Sequence, residues 1–212
     1  MKCNLNNICF NDKPFPHLII DDFLGHEDYH NILDYLEEID FFPEDFSKDK
    51  INRSTFMIYH KGKYYLKDDV MKRYMSIFMD PEFQRKMIDM MKPSRSNELP
   101  QDLWFQADCY RGSFKFPIHC DSGDKYLTFV YYTPLFDDMD KKLGTRVYNG
   151  KKELEGIVEY KPNRMIVFAP SDRSWHNMEG TTDCERNSLQ GWFLCTKKRR
   201  KGPAIRRGFN SS

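Results

Sequence analysis

The segment LWFQADCYRGSFKFPIHCDSGDKYLTFVYYT, residues 103–133, decides how this chain folds. Aromatic and β-branched residues come in short runs, separated by Gly112, by Pro117 and by Ser122-Gly123-Asp124. Runs of this kind with turn residues between them read as strands of a sandwich or barrel. The predicted strands are 103–111, 115–120 and 125–133. The same texture then continues through RVYN (146–149), GIVEY (156–160), RMIVFA (164–169) and RNSLQGWFLC (186–195).

Upstream the period changes from two to helical. His26 to Asp40 reads as a helix, with Tyr29, Ile32, Leu33, Leu36 and Ile39 at helical spacing and Glu27 and Asp28 at its positive end. Asp68 to Met79 is a second helix. Asp80 caps a third, with Pro81 as its first residue, running to about Lys92. The Met87, Met90, Met91 stripe reads as core. PFPHLIIDDFL (14–24) reads as an opening strand, residues 43–65 show no firm element, and 93–101 is a linker. The expectation is one α+β unit over 1–195. Within it, 14–101 forms a strand and helical buttress and 102–195 an all-β core, with a basic tail at 196–212.

The 212 residues suffice for one domain with a sizeable core. Aromatic residues at 15% argue against disorder. The absence of a long apolar run argues against a membrane span, and the N-terminus has no apolar leader, so a cytoplasmic protein is expected. The six cysteines form no CxxC pair and read as reduced thiols. The net charge of +1 conceals an asymmetry. Seven of the 33 basic side chains and none of the 32 acidic ones lie in 196–212, so the body carries 26 basic against 32 acidic groups. Attraction of the Lys197–Lys201 run to nucleic acid or an acidic partner would be local and salt-sensitive. A solubilising tail is the preferred reading.

The chemistry lies in a spacing. His119 and Asp121 are two apart on a predicted strand, hence on one face, with Cys120 on the other. His176 follows 55 residues after Asp121, past a strand and a turn. Two imidazoles and a carboxylate occupy one face of an octahedral iron and leave positions for other ligands. Arg186 opens the last strand and shares a face with Ser188, Gln190 and Trp192; a guanidinium at a barrel rim forms bidentate pairs with carboxylates. Tyr110 and the Tyr131-Tyr132 pair lie nearby in sequence. Tyr132 is preferred because it shares a face with Thr128 and Val130.

These residues carry a family resemblance. They are Tyr110-Arg111-Gly112, His119-Cys120-Asp121, 126–132, Gly144-Thr145, 162–168, His176 and Arg186-Asn187-Ser188-Leu189, with Phe15-Pro16-His17 and Asp22-Phe23-Leu24 upstream. Together they resemble the 2-oxoglutarate- and Fe(II)-dependent dioxygenases, nearest to the prolyl 4-hydroxylase-like branch. The resemblance spans roughly 14–195. It implies a double-stranded β-helix (a cupin-like jelly roll) with supporting N-terminal helices. It further implies His119, Asp121 and His176 as iron ligands and Arg186 as the anchor of the far carboxylate of 2-oxoglutarate. Ser188, Tyr110, Tyr132 and Thr128 would stand around that cosubstrate. The implied cofactors are Fe(II), 2-oxoglutarate and O2, with room for ascorbate. The implied reaction is hydroxylation with release of succinate and CO2. A peptidyl proline is the first choice of substrate; free amino acids, other small molecules and alkylated nucleic acid are the alternatives. Collagen-type members commonly carry Lys where Arg186 stands, and the nucleic-acid-repair members usually carry a second Arg where Trp192 stands.

Other readings compete. His26-Glu27-Asp28-Tyr29-His30 matches the H-E-x-x-H zinc peptidase motif, but Leu33 and Leu36 stand where a third ligand would follow, and polar positions on an amphipathic helix are the simpler account. Asp137-Asp138-Met139-Asp140 lacks the Gly and Glu of a calcium loop. A non-catalytic metal-binding interaction module would keep the ligands without turnover. Residues 48–66, with Met57, Tyr59, Tyr64 and Tyr65, are a candidate lid.

Overall fold

Alternation along the longest strands divides the protein into two cores. In a computed structural model describing residues 1–41, 52–65, 68–92 and 99–195, strands β1 (Ile8–Asn11) and β2 (His17–Ile20) precede helix α1 (His26–Glu37). Strands β3 (Arg53–His60) and β4 (Lys63–Tyr64) lead into α2 (Asp69–Met79) and α3 (Pro81–Met91). The β-rich part follows: β5 (Asp102–Lys115), β6 (Lys125–Tyr132), β7 (Thr145–Tyr148), β8 (Leu154–Val158), β9 (Met165–Phe168), β10 (His176–Asn177) and β11 (Glu179–Leu194). An eight-stranded sheet runs β1-β2-β9-β6-β11-β5-β3-β4, and a second sheet runs β10-β7-β8. Every strand pairing is antiparallel.

One face of the large sheet meets the helices. Leu103, Phe105, Ala107 and Cys109 of β5, Leu127, Phe129 and Tyr131 of β6, and Met165 and Val167 of β9 pack there with Tyr74, Phe78, Met87 and Met91. Phe78 is the pivot, with ring centres 4.5 Å from Phe105 and 5.3 Å from Phe129. The opposite face, with Tyr110, Val130, Tyr132, Ile166 and Phe168, closes on Val147, Val158 and Met178 of the smaller-sheet side. The result is a jelly roll backed by helices, as expected. The methionine stripe is core, since Met87 and Met91 are buried.

The helices begin where their caps predict. The Asp68 carboxylate accepts from the Val70 N–H, and the Asp80 carboxylate accepts from the Glu82 N–H directly before Pro81. Lys92 takes a left-handed conformation and ends α3.

The N-terminal part departs from the expected buttress. It supplies four strands, β1 to β4, to the large sheet. The opening strand shrinks to His17–Ile20. Residues 53–60, in which no element was expected, form an inner strand against β5, with a register shift between Met57 and Tyr59. That shift scrambles period-two alternation, which hides the strand from sequence reading. Tyr59 and Tyr64 face each other across the hairpin with ring centres 5.0 Å apart, and Tyr64 Oη donates to Met79 Sδ. Where it is described, the candidate lid is therefore mostly sheet, with Tyr65 exposed beyond the end of β4; residues 48–51 and 66 lie outside the described residues. The linker at 93–98 and the tail from 196 also lie outside them.

Gly191 tests the packing of the large sheet. A Cβ there would fall 2.0 Å from Phe105 Cε1. Gly191→Ala should cost about 1–3 kcal/mol as Phe105 is forced aside, read as a lower urea midpoint with an unchanged m-value.

Candidate metal and dicarboxylate site

Regular strand structure ends at Lys115, so His119 does not lie in the predicted strand 115–120. An isolated bridge places it instead. His119 N–H donates to His176 O (3.0 Å) and His176 N–H donates to His119 O (2.9 Å). The imidazoles stand with ring centres 4.4 Å apart. Each ring is oriented in the same way: Nδ1 lies 2.9 Å from a carbonyl two residues back, Pro117 O for His119 and Ser174 O for His176. A carbonyl only accepts, so both Nδ1 atoms carry a proton and both Nε2 atoms point elsewhere.

Asp121 completes the group. One ligand atom from each of His119, Asp121 and His176 lies within 4.8 Å of the others, and among the described residues this is the only such set of three or more His, Cys, Asp or Glu side chains. Metal–ligand bonds of about 2.1 Å hold two donors on one ion within about 4.2 Å, so a small contraction seats an ion. The Asp121 carboxylate is nearly buried and fully engaged: Lys125 Nζ donates to Oδ1 and Thr128 Oγ1 donates to Oδ2, both at 2.6 Å. Burial pushes its pKa up, but Lys125, His176 and Thr128 outweigh that and hold it well below the usual carboxylate range. Burial lowers His176 to about 4, with Asp121 opposing and His119 adding to the shift. At neutral pH the apo site thus offers a carboxylate and an unprotonated imidazole at His176, the forms a metal requires.

In the core that reaches His176 through Phe168, Arg186 is fully buried. Its Nε donates to Leu143 O (3.0 Å) and its Nη1 to Ser188 Oγ (2.9 Å). Its Nη2 is buried with no hydrogen-bond partner. Aromatic rings surround the guanidinium, with centroids of Tyr160, Tyr110 and Tyr132 at 4.7, 5.5 and 5.7 Å. A buried cation with an unspent donor fits the carboxylate of an elongated dianion.

The remaining expected residues divide. Ser188 and Tyr110 do line the Arg186 pocket. Thr128 serves the Asp121 carboxylate. The Tyr132 hydroxyl donates to Thr145 Oγ1 (2.7 Å) and accepts from the Thr145 N–H (2.9 Å), so it braces the pocket wall. Its neighbour Tyr131 lies in the helix-side core, as alternation predicted. Lys125, Tyr160 and Asp108 escaped the sequence reading. Asp108 is fully buried and accepts from Thr55 and Gln106; burial raises its pKa while those bonds, Arg53 and Arg186 oppose. No sequence spacing marks any of the three.

The H-E-x-x-H pair does converge: His26 Nε2 and His30 Nε2 are 3.1 Å apart on the exposed start of α1. Neither belongs to a group of three metal-ligating side chains among the described residues. Asp140 caps a short 3-10 turn by accepting from the Lys142 N–H, and Asp137 and Asp138 are exposed. The six cysteines are unpaired.

Residues 105–194 match the sequence model of the 2OG-Fe(II) oxygenase superfamily. A search of curated proteins gives no match. Similar solved structures include a Pseudomonas putida prolyl-4-hydroxylase (TM-score 0.62, 16% identity, covering 84% of this chain and 91% of that one). A Trichoplax adhaerens prolyl hydroxylase in complex with a hypoxia inducible factor peptide fragment is also similar (0.60, 18%, 90% and 84%). A third is the viral collagen prolyl hydroxylase of Paramecium Bursaria Chlorella virus-1 in a 2OG complex (0.55, 11%, 85% and 96%). The fold and the matched core define an iron- and 2-oxoglutarate-dependent oxygenase. Residues 105–194 thus carry the sequence pattern of the 2OG-Fe(II) oxygenase superfamily, on the fold seen in prolyl hydroxylases. That match implies Fe(II), 2-oxoglutarate and O2 as cofactors.

Tyr132→Phe should strand the buried Thr145 N–H and lower stability by about 1–3 kcal/mol, visible as a reduced Tm.

Proposed function

We propose that this oxygenase hydroxylates a peptidyl proline, releasing succinate and CO2, with His119, Asp121 and His176 holding Fe(II) and Arg186 holding the far carboxylate of 2-oxoglutarate. The observation that carries the site assignment is the Arg186 Nη2, buried and unpartnered in the same interior as the triad. Two of the similar structures support the peptide reading, a prolyl-4-hydroxylase and a prolyl hydroxylase in complex with a peptide fragment. Iron and 2-oxoglutarate supply the oxidising chemistry; the chain supplies orientation and a dry chamber.

Each residue has a physical task. The carbonyl-anchored imidazoles keep Nε2 free for the ion. Thr128 fixes the rotation of the Asp121 carboxylate. Ser188 and Leu143 O hold the guanidinium and leave Nη2 unpartnered; it would donate to the cosubstrate carboxylate. Tyr110, Tyr132 and Tyr160 exclude water around it, which strengthens the charged hydrogen bond. Among the described residues no helix is long and apolar enough to cross a membrane. We read the protein as cytoplasmic, with the tail dispensable for the chemistry.

The test is succinate formation with Fe(II), 2-oxoglutarate and O2 over proline-containing peptides, free amino acids and alkylated oligonucleotides. His119→Ala should abolish product with every substrate. Arg186→Met should raise the KM for 2-oxoglutarate about 10- to 100-fold, the value of one or two charged hydrogen bonds. Hydroxylation confined to free amino acids or oligonucleotides would overturn the peptide reading. Activity surviving in His119→Ala would overturn the site.

A further inference from the structure

Asp121 and three side chains beside the triad form a ring that the family chemistry does not explain. Lys125 Nζ donates to Asp121 Oδ1 at 2.6 Å. That oxygen faces the triad, since His119 Nε2 lies 3.9 Å from it. The same Nζ lies 4.1 Å over the Trp192 ring. Trp192 stands directly opposite Thr128 on the neighbouring strand, and Thr128 closes the ring by donating to Asp121 Oδ2. Both carboxylate oxygens are therefore occupied, and the inward one is taken by an ammonium group. The Lys125 side chain is 18% exposed and that of Asp121 6%, so the pair sits where the buried site meets solvent.

We infer that Lys125 is a placeholder cation: it occupies the metal-facing oxygen of Asp121 in the metal-free protein and yields it to the incoming ion, staying on the face of Trp192. The inference rests on the reading of the triad as a metal site. Its basis is charge and geometry. A buried carboxylate needs a counter-cation. A divalent ion and an ammonium group at one oxygen repel each other in a medium of low polarity. Trp192 offers the displaced ammonium a π face within reach, so release from Asp121 does not strand it. Lys125 therefore keeps the carboxylate oriented before loading and weakens metal retention afterwards. Thr128 acts on the other oxygen and competes with nothing.

The two positioning residues should respond with opposite signs. Calorimetric titration of the metal-free 212-residue chain with Mn(II) should show Lys125→Met binding about five- to tenfold more tightly than the unmodified chain. Thr128→Val should bind more weakly. Lys125→Gln, which keeps a donor but no charge, should resemble Lys125→Met. A second readout uses the indole under the ammonium. In a Trp175→Phe background, Mn(II) should alter the emission of the remaining tryptophans, and Lys125→Met should reduce that change. Weaker Mn(II) binding in both Lys125 variants would show a scaffolding role and overturn the inference. An emission response unaffected by Lys125→Met would overturn it too. If the unmodified chain and His119→Ala bind Mn(II) equally, the triad reading itself falls, and the inference with it.

Discussion

The pair of backbone hydrogen bonds between His119 and His176 is the constraint on which the rest of the site depends. It joins the segment leaving β5 to the short strand β10, which in turn pairs with β7 of the smaller sheet. One two-residue bridge thus links the two sheets and sets two imidazoles side by side. The ring orientation follows from the same local geometry repeated: each Nδ1 reaches the carbonyl two residues earlier. A histidine held in that way presents Nε2 with little remaining freedom, which lowers the entropic cost of binding an ion.

Two buried charges of opposite sign share this interior and are treated differently. Asp121 is surrounded by donors and by a cation. Arg186 has one carbonyl, one hydroxyl and three aromatic rings, and one of its nitrogens has no hydrogen-bond partner. An unspent donor on a fully buried cation is costly, and that cost is what supports the proposal of a ligand carboxylate at Arg186. The rigid support of Tyr132 by Thr145, and of Tyr160 by the Asn187 carbonyl at 2.6 Å, keeps that pocket from collapsing onto the charge.

Legibility in the sequence tracked the regularity of the backbone. Strands β5, β6, β9 and β11 were readable because each separates two faces cleanly: Tyr131 and Tyr132 are neighbours in sequence, yet they lie in different cores. The capped helices were readable because Asp68, Asp80 and Pro81 state their starts. Strand β3 was not, because a register shift breaks its alternation. The strand reading of His119 was also too regular. The residue converges with His176 through a single bridge, and ladder geometry plays no part.

The sequence alone determined the class of the protein. The H-x-D pair, the distant His and the trailing Arg-x-Ser follow one another in an order of residue types that reflects the chemistry of a metal and a dicarboxylate. What only the tertiary structure decided is which neighbours serve those residues. Lys125 and Thr128 reach Asp121 from four and seven residues further along the chain, across the turn into β6, and Tyr160 reaches Arg186 from a separate segment. The contacts of Tyr132 with Thr145 and of Lys125 with Trp192 emerge once the fold brings separate strands together.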